Sequence, residues 1–357
     1  MRLSRIKLEN FRNLAALDLA LPAAEVYVLY GQNGAGKTNL LEALSLLSPG
    51  RGIHGDAPED MLAHNASTWS FFAEGEVAGH PHNIGQVYRE GKRSLQVDGD
   101  KAESYADLAV TGSVVWLTPK QDRLFFETPK IRRQFLDRLV YGITPAHADW
   151  LSRYQRDLKT RQKLLKDHRP DLDWLDLLEE QLATVGVQIH TARREYIEQL
   201  NAMLESEGLT LKLEGGLEKC PDAESFQFAL RQDRDRDARF GTTHTGPHRA
   251  DLTGEYPARK LTLALASMGQ HKRALIHILL AHTKVVHRVV GIAPTLLLDE
   301  VTAHLDAGVR QELLSQLRAL HAPLWLAGTE RSLFEDVPQA CFIAVANGVI
   351  TVEPDHA

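Results

Sequence analysis

The chain has 357 residues and a mass of 39.9 kDa, a length that favours about two domains. Hydrophobic residues account for 43% of it and charged residues for 25%, which excludes a mainly disordered or fibrous protein. The formal net charge is −6, so the chain as a whole gives no support for nucleic-acid binding and any such surface must be local. The two cysteines form no disulfide framework, which fits a reducing compartment. No apolar run reaches the roughly 18 residues of a membrane span. The basic residues at the start are not followed by the apolar stretch of a secretory signal. We therefore expect a cytoplasmic protein with no membrane partner.

The first third of the sequence is dominated by strand patterns. Short apolar or alternating runs predict β-strands at residues 2–8, 14–21 and 25–30, within the glycine-punctuated stretch 68–99, and at 114–117.

A glycine-rich run follows the third of these predicted strands. It reads Gly31, Gln32, Asn33, Gly34, Ala35, Gly36, Lys37 and Thr38, which fits GxxxxGK[ST] at each fixed position, and a predicted helix follows from Asn39. Glycines let backbone N–H groups curl around phosphates, Lys37 can reach the β- and γ-phosphates, and Thr38 can ligate Mg²⁺. The run, with Asn39, therefore predicts a nucleotide-binding site; a glycine-rich turn that matches by chance is the alternative. The pattern alone does not choose between a kinase, a GTPase, a helicase and another ATPase.

Residues 130–207 are poor in glycine and predict helices. One segment has apolar residues at alternating spacings of three and four, which is typical of a packed helical seam. The residues of this seam are Leu175, Leu178, Leu182, Val185, Ile189, Ala192 and Tyr196. A partial seam upstream runs from Leu151 to Leu165 and is interrupted by Arg161. The two seams predict a short antiparallel helical hairpin, with Pro170 between its helices.

The upstream helix of this hairpin is strongly basic. Its cations are Arg153, Arg156, Lys159, Arg161, Lys163, Lys166 and Arg169. They form either an ordinary solvated face or a surface that tracks phosphates without reading sequence, with Arg153, Arg156, Lys159 and Lys163 as the candidate DNA contacts. The arginines between residues 231 and 239 alternate with aspartates, and we expect these charges to neutralise one another.

A second candidate half of the nucleotide site lies near the end of the chain. The apolar run that begins at Thr295 predicts a buried strand ending in Asp299 and Glu300. Asp299 is placed to hold Mg²⁺ and Glu300 to polarise an attacking water. A core strand whose exposed end carries solvated acids is the alternative.

Two segments in this half resemble motifs of ABC-type ATPases. Residues 299–306 resemble the Walker B motif with its D-loop, and residues 267–273 resemble the signature motif. The resemblance implies an α/β ABC-type P-loop ATPase head with a largely helical, α+β second lobe. The first lobe would comprise residues 1–118 and 291–357, and the second lobe residues 119–290. The resemblance further implies a homodimer in which ATP is bound between the two subunits. The residues that would contact ATP by this resemblance are Ser267, Gly269 and Gln270, from the opposing subunit, and Gln121 as the Q-loop residue.

Three other segments are similar to the RecF family: residues 8–13, 132–137 and 245–251. This resemblance implies an ATP-dependent dimer on gapped or junction DNA that works with RecR and RecO and helps to load RecA. ATP hydrolysis would be weak, stimulated by DNA, and would act as a timer for release. The family commonly has a second Asp where this chain has Glu300, and Thr329 occupies the position of the switch histidine of transporter relatives. An ATPase subunit of another ABC-type machine, either a transporter or a nuclease-associated complex, is the alternative.

Overall fold

The computed structural model describes residues 1–167, 171–301 and 307–353. It contains two compact units: Met1–Asp122 together with His282–Ala357, and Arg123–Ala281. The strands of the described residues are, in chain order, β1 (Arg2–Phe11), β2 (Leu14–Ala20), β3 (Val26–Tyr30), β4 (Thr68–Val77), β5 (His80–Arg89), β6 (Lys92–Val97), β7 (Asp100–Lys101), β8 (Val114–Leu117), β9 (Thr210–Glu214), β10 (Asp251–Tyr256), β11 (Leu261–Thr262), β12 (Thr295–Asp299), β13 (Leu324–Gly328), β14 (Cys341–Ala346) and β15 (Val349–Val352). The helices are α1 (Lys37–Ser45), α2 (Pro129–Tyr141), α3 (His147–Leu165), α4 (Leu172–Leu204), α5 (Ala223–Gln232), α6 (Arg234–Phe240), α7 (Met268–Val290) and α8 (Ala307–Arg318).

The first unit is built on two sheets. One is antiparallel, in the order β2-β1-β4-β5-β6-β7, and the other runs β15-β14-β3-β13-β12-β8. In the second sheet β14, β3, β13, β12 and β8 are parallel, and only β15 at its edge is antiparallel. Helix α1 buries its leucines in the core that these sheets share. This architecture confirms the predicted α/β ABC-type head.

The strand register of the parallel sheet assembles the candidate site. Asp299 pairs with Ala327, and Gly328 pairs with Tyr30, so β12, β13 and β3 end along one edge. Ligands of such sheets bind beyond the carboxyl ends of the strands. The glycine-rich run after β3 and Glu300 after β12 therefore meet at this edge, although the sequence separates them widely.

The second unit combines helices with the small sheet β11-β10-β9. Every residue of the predicted seam on α4 is buried, which confirms the seam. Arg161 of α3 contacts Glu179 of α4, while Tyr154 lies beside Gly186. Residue numbers rise along one helix where they fall along the other, so α3 and α4 are antiparallel. This confirms the predicted antiparallel hairpin. Pro170 lies outside the described residues.

One prediction about α3 is wrong. The basic residues predicted for the exposed surface of α3 include Arg161, but its side chain is fully buried on the packed face of the helix. It donates to Glu179 at 2.8 Å and to Asp237 at 2.7 Å, and also to the Thr243 hydroxyl and the Leu230 carbonyl. A cation in an apolar seam is therefore neutralised by carboxylates that other helices supply.

A membrane span would need a long and uniformly apolar helix. None of the helices in the described ranges has that length and apolar character.

Candidate nucleotide-binding site

The glycine-rich run forms a tight loop between β3 and α1. Gly31 has φ 151°, and a Cβ at this position would lie 2.0 Å from the backbone oxygen of Val345. Only glycine fits so close to a neighbouring strand in this conformation. The loop ends at Gly36, and α1 begins at Lys37 with its N-terminus at the loop. Backbone N–H groups at a helix N-terminus favour phosphate.

Lys37 lies within the loop rather than in solvent. Its side chain is only 4% exposed, and Nζ donates to the backbone oxygens of Gly31 at 2.7 Å and Gln32 at 3.0 Å. Burial lowers the pKa of this amine, and the carboxylates of Asp299 and Glu300 partly oppose that shift. The lysine is thus held beside the loop, with two anionic side chains nearby.

The two predicted halves of the site meet through Thr38 and Asp299. The Thr38 hydroxyl donates to Asp299 Oδ2 at 2.7 Å. Asp299 is only 6% exposed, and its other oxygen, Oδ1, is buried without a hydrogen-bond partner among the described residues. Burial raises the pKa of this carboxyl, and the Thr38 hydrogen bond partly opposes the shift. A hydroxyl next to a carboxylate with a free buried oxygen is a donor set that fits Mg²⁺.

Glu300 faces the same loop. Its backbone has φ 51°, a conformation that costs an L-residue energy and is concentrated at functional sites, and its N–H donates to the Ala327 oxygen at 3.0 Å. The side chain lines a cavity of about 140 Å³. The other lining residues are Asn33, Gly34, Gly36, Lys37, Thr38 and Asn39.

A larger groove of about 1240 Å³ lies elsewhere in the first unit. Its lining includes Arg2 and Arg331, which are already ion paired with Glu25 and Glu353. The smaller cavity is the better candidate for phosphate, because it gathers a lysine, a threonine, glycine backbone and a carboxylate.

The sequence did not indicate that Asn13 would contact this loop. Its Oδ1 accepts a hydrogen bond from Asn39 Nδ2 at 2.7 Å, and its Nδ2 reaches the Gly34 oxygen at 3.5 Å. Asn13 is the last residue of the segment 8–13 that is similar to the RecF family, and this similarity does not indicate which residues it contacts. Asn39, a predicted ligand residue, is thereby linked to the N-terminal β-hairpin.

Comparison with known proteins decides the family. A family model described as the RecF/RecN/SMC N-terminal domain matches residues 2–324. The DNA replication and repair protein RecF of Rhizobium meliloti (strain 1021) is 38% identical over 368 residues, which cover 98% of this chain and 98% of that protein. The chain belongs to the RecF family. RecF of Brucella suis biovar 1 (strain 1330) is also 38% identical, over 97% of this chain and 95% of its own.

Solved structures agree with this family. A structure of the recombination mediator protein RecF with ATP, in the RecFOR pathway, has a TM-score of 0.85 and 25% identity, covering 98% of this chain and 99% of that chain. The Smc head bound to the C-terminal winged-helix domain of ScpA has a TM-score of 0.55 at 14% identity, over 99% of this chain and 98% of that one. The second likeness concerns the fold alone.

The resemblance to ABC-type ATPases singles out three further positions. Gln121 is half-buried, and its Oε1 accepts a hydrogen bond from the backbone N–H of Thr118 at 2.9 Å, so it caps a local turn. Thr329 is exposed directly after β13. The predicted D-loop, residues 302–306, lies outside the described part of the chain. The role of Gln121 stays a prediction.

The segment that resembles the ABC-type signature motif lies in the second unit, at the start of α7. Ser267 and Gln270 cap this start: the Ser267 N–H donates to Gln270 Oε1 at 2.8 Å, and the Gln270 N–H lies 3.4 Å from the Ser267 hydroxyl. Ser267 and Gly269 are exposed, and a Cβ on Gly269 would meet nothing within 4 Å. This helix end is open to a ligand or a partner.

The candidate DNA cations of α3 are Arg153, Arg156, Lys159 and Lys163, and all four side chains are exposed. Asp157 lies 3.7 Å from Arg153 and 3.5 Å from Arg156, so these two arginines are partly neutralised. Arg169 lies outside the described residues. Two charges of α6 pair with other helices, because Arg234 pairs with Glu179 and Asp237 with Arg161. The expectation that these charges neutralise one another is therefore wrong for both residues.

The remaining RecF-like segments hold the second unit together. Arg132 makes a bidentate ion pair with Asp251, at 2.8 and 2.5 Å, and Arg133 donates to the Ala250 oxygen. Gly246 has φ 140°, and a Cβ there would lie 2.4 Å from the Tyr154 hydroxyl. Arg132, Arg133 and Gly246 of these segments thus make contacts within the second unit.

We expect Asp299→Asn to stabilise the protein without nucleotide and to remove its response to Mg²⁺. The folded-state pKa of Asp299 is raised, so its ionised form opposes folding at neutral pH, and this cost disappears as pH falls through the raised pKa. Asparagine carries no charge to desolvate, so Tm at pH 7 should rise. Calorimetry with ATP, with and without Mg²⁺, should then show that the additional rise in Tm caused by Mg²⁺ is lost. Asp100→Asn, at an exposed aspartate of the same unit, should change neither value.

Proposed function

We propose that this RecF-family chain is an ATP-dependent recombination mediator that acts on DNA in repair and replication restart. The observation that carries the proposal is the 2.7 Å hydrogen bond between Thr38 and Asp299, which joins a phosphate loop to the acidic end of a neighbouring strand. The relatives are named DNA replication and repair proteins, and one was solved with ATP.

In this proposal the phosphate loop binds ATP. Backbone N–H groups of the loop and of the first turn of α1 receive the phosphates, and Lys37 supplies the positive charge. Thr38 and Asp299 hold Mg²⁺, which neutralises charge on the phosphate chain. Glu300, at the rim of the same cavity, orients and deprotonates the attacking water.

The size of the cavity favours a site that is completed by a second copy. A cavity of about 140 Å³ is smaller than the roughly 300 Å³ of a small-molecule site, so it can enclose phosphates but not a whole nucleotide. The exposed start of α7 offers the Ser267 hydroxyl and the Gly269 N–H as further donors. We infer an ATP-dependent homodimer in which this helix start contacts the ATP of the opposing subunit.

Hydrolysis then limits the lifetime of the dimer. We propose a weak ATPase that DNA stimulates and that acts as a timer for release. RecR and RecO are the proposed partners, and RecA loading at gaps or junctions is the proposed outcome. The RecFOR pathway is the setting in which the ATP-bound relative was solved. If the chain instead powers a transporter, DNA should have no effect on its ATPase activity. If it serves a nuclease-associated complex, it should have a nuclease as its partner.

We expect Ser267→Arg to block dimerisation with ATP while leaving ATP binding within about twofold, because the bulk and charge are added outside the phosphate cavity. Sedimentation with ATP and Mg²⁺ measures the dimer, and equilibrium binding of a fluorescent ATP analogue measures affinity. Ser267→Ala is the matched control: it removes the cap, at a cost of about 1 kcal/mol, but adds no bulk. A dimer of normal stability in Ser267→Arg would contradict the across-dimer contact.

We expect Lys163→Ala to weaken binding of duplex DNA uniformly across sequences. Loss of one phosphate contact should reduce the slope of log K against log salt by about 1. Fluorescence anisotropy of a labelled duplex over a salt series measures this slope. Arg194→Ala, which removes an exposed cation from α4 in the same unit, should leave the slope unchanged. Equal effects of both substitutions would indicate a general charge effect instead of a surface on α3.

A further inference from the structure

The exposed side of α3 carries a stripe of cations that runs to Lys166, the residue after the last one of the helix. Arg156, at the start of the stripe, lies 3.5 Å from Asp157. Arg156, Lys159, Lys163 and Lys166 follow one another at steps of three or four residues, so they fall within about 80° of the helix circumference. All four are exposed, whereas Tyr154, Asp157 and Arg161 face the packed side. We call these four residues the α3 stripe. Its spacing suits a phosphate backbone that runs along the helix.

An aromatic side chain lies where the α3 stripe ends. Phe240 is the last residue of α6 and is 65% exposed. The next residue, Gly241, lies against the last cation of the stripe: a Cβ on Gly241 would be 3.7 Å from Lys166 Nζ. The residue after Phe240 is therefore adjacent to the end of the stripe.

The position of Phe240 relative to the stripe is fixed. Asp237, one turn earlier in α6, accepts a hydrogen bond from Arg161 of α3 at 2.7 Å and another from His244 Nδ1 at 2.8 Å. His244 meets Phe240 in an edge contact, with ring centroids 5.5 Å apart and planes at 76°. The ring is thus oriented by a buried ion pair while most of its surface stays in solvent.

We propose that Phe240 is a base-stacking platform, and that the α3 stripe with Phe240 forms a binding site for single-stranded nucleic acid. Cations that track the backbone and an exposed aromatic ring that stacks on a base are the two elements of sequence-independent single-strand binding. Duplex bases are already stacked and cannot use the ring, so Phe240 distinguishes an unpaired strand from a duplex. The inference rests on the proposed function, because it specifies which DNA this surface takes.

The test is fluorescence anisotropy with a labelled oligothymidylate of about 16 nucleotides, a size within the usual range of such sites, and with a duplex of the same length. Phe240→Ala should weaken single-strand binding roughly tenfold, the loss of one stacked base, and should leave duplex binding within about twofold. Phe240→Trp should restore or strengthen it. An abasic strand of equal length and charge should bind wild type and Phe240→Ala equally.

Phe228→Ala is the matched control. Phe228 is 63% exposed on α5 of the same unit, so it has the same chemistry and a similar exposure on a different helix. Thermal unfolding of each variant separates loss of binding from loss of fold.

The outcomes separate this inference from the function on which it rests. If wild-type protein binds duplex but not oligothymidylate, or if Phe240→Ala and Phe228→Ala behave alike, the stacking site is wrong and the mediator function stands. If wild-type protein binds neither DNA at low salt, the DNA function fails and the stacking site fails with it. Selective loss of single-strand binding in Phe240→Ala, rescued by Phe240→Trp, supports the site.

Discussion

Replacement of Glu300 by Gln should reduce ATP turnover by a factor of about 100 or more while ATP binding is retained. Glutamine keeps the size and polarity of the side chain but cannot accept a proton from water. Glu300 lines the cavity of the phosphate loop, and its φ of 51° is a strained conformation of the kind found at functional sites. Phosphate release from saturating ATP measures turnover, and equilibrium binding of labelled ATP measures affinity.

The matched control for this prediction is Glu335→Gln. Glu335 lies in the same unit and is exposed, where it pairs with Arg331 at 3.6 Å, so the chemical change is identical but lies outside the cavity. Turnover of this variant should stay near that of wild type. If Glu300→Gln retained turnover within about twofold, Glu300 could not be the base and another group would have to activate water.

Replacement of Arg161 by Leu should destabilise the protein by about 3 kcal/mol. The substitution would remove a fully buried cation and leave Glu179 and Asp237 as buried carboxylates that have lost a partner. Arg234 still pairs with Glu179, and His244 with Asp237, which places the loss at the lower end of the range for a broken buried ion pair. Urea unfolding measures the change.

Arg156→Leu is the control for this second prediction. It removes an arginine from the same helix at an exposed position and should change the free energy of unfolding by less than about 0.5 kcal/mol. Equal losses for both substitutions would mean that the buried network of Arg161 contributes no more than a surface charge.

Local patterns in the sequence were sufficient to predict much of this fold. The glycine-rich run, the apolar strand before Asp299 and the seam of α4 each depend on spacing over a few residues, and spacing reflects the periods of strands and helices. The edge of the sheet where these segments meet also follows, because parallel strands share the direction of their carboxyl ends. Their assignment to an ABC-type head relied on resemblance.

The errors concern contacts between distant segments. Arg161 interrupts the apolar seam of α3, and its partners Asp237 and Thr243 are 76 and 82 residues away. No local pattern reveals that a cation will be neutralised from such a distance. Asn13 was missed for the same reason, since its partner Asn39 lies across 26 residues. The alternating charges of α6 favoured ion pairs within that segment, but its buried Asp237 accepts a hydrogen bond from Arg161 of α3.

The measurement that tests the central claim most directly is sedimentation of the Glu300→Gln protein with and without ATP and Mg²⁺, each in the presence and absence of a gapped duplex. The substitution should hold ATP in the bound state. We expect a monomer without ATP, a dimer with ATP and Mg²⁺, and a more stable dimer when the gapped duplex is added. A dimer that forms with ATP but does not respond to DNA at low salt would contradict the mediator function and would leave only the ATPase head.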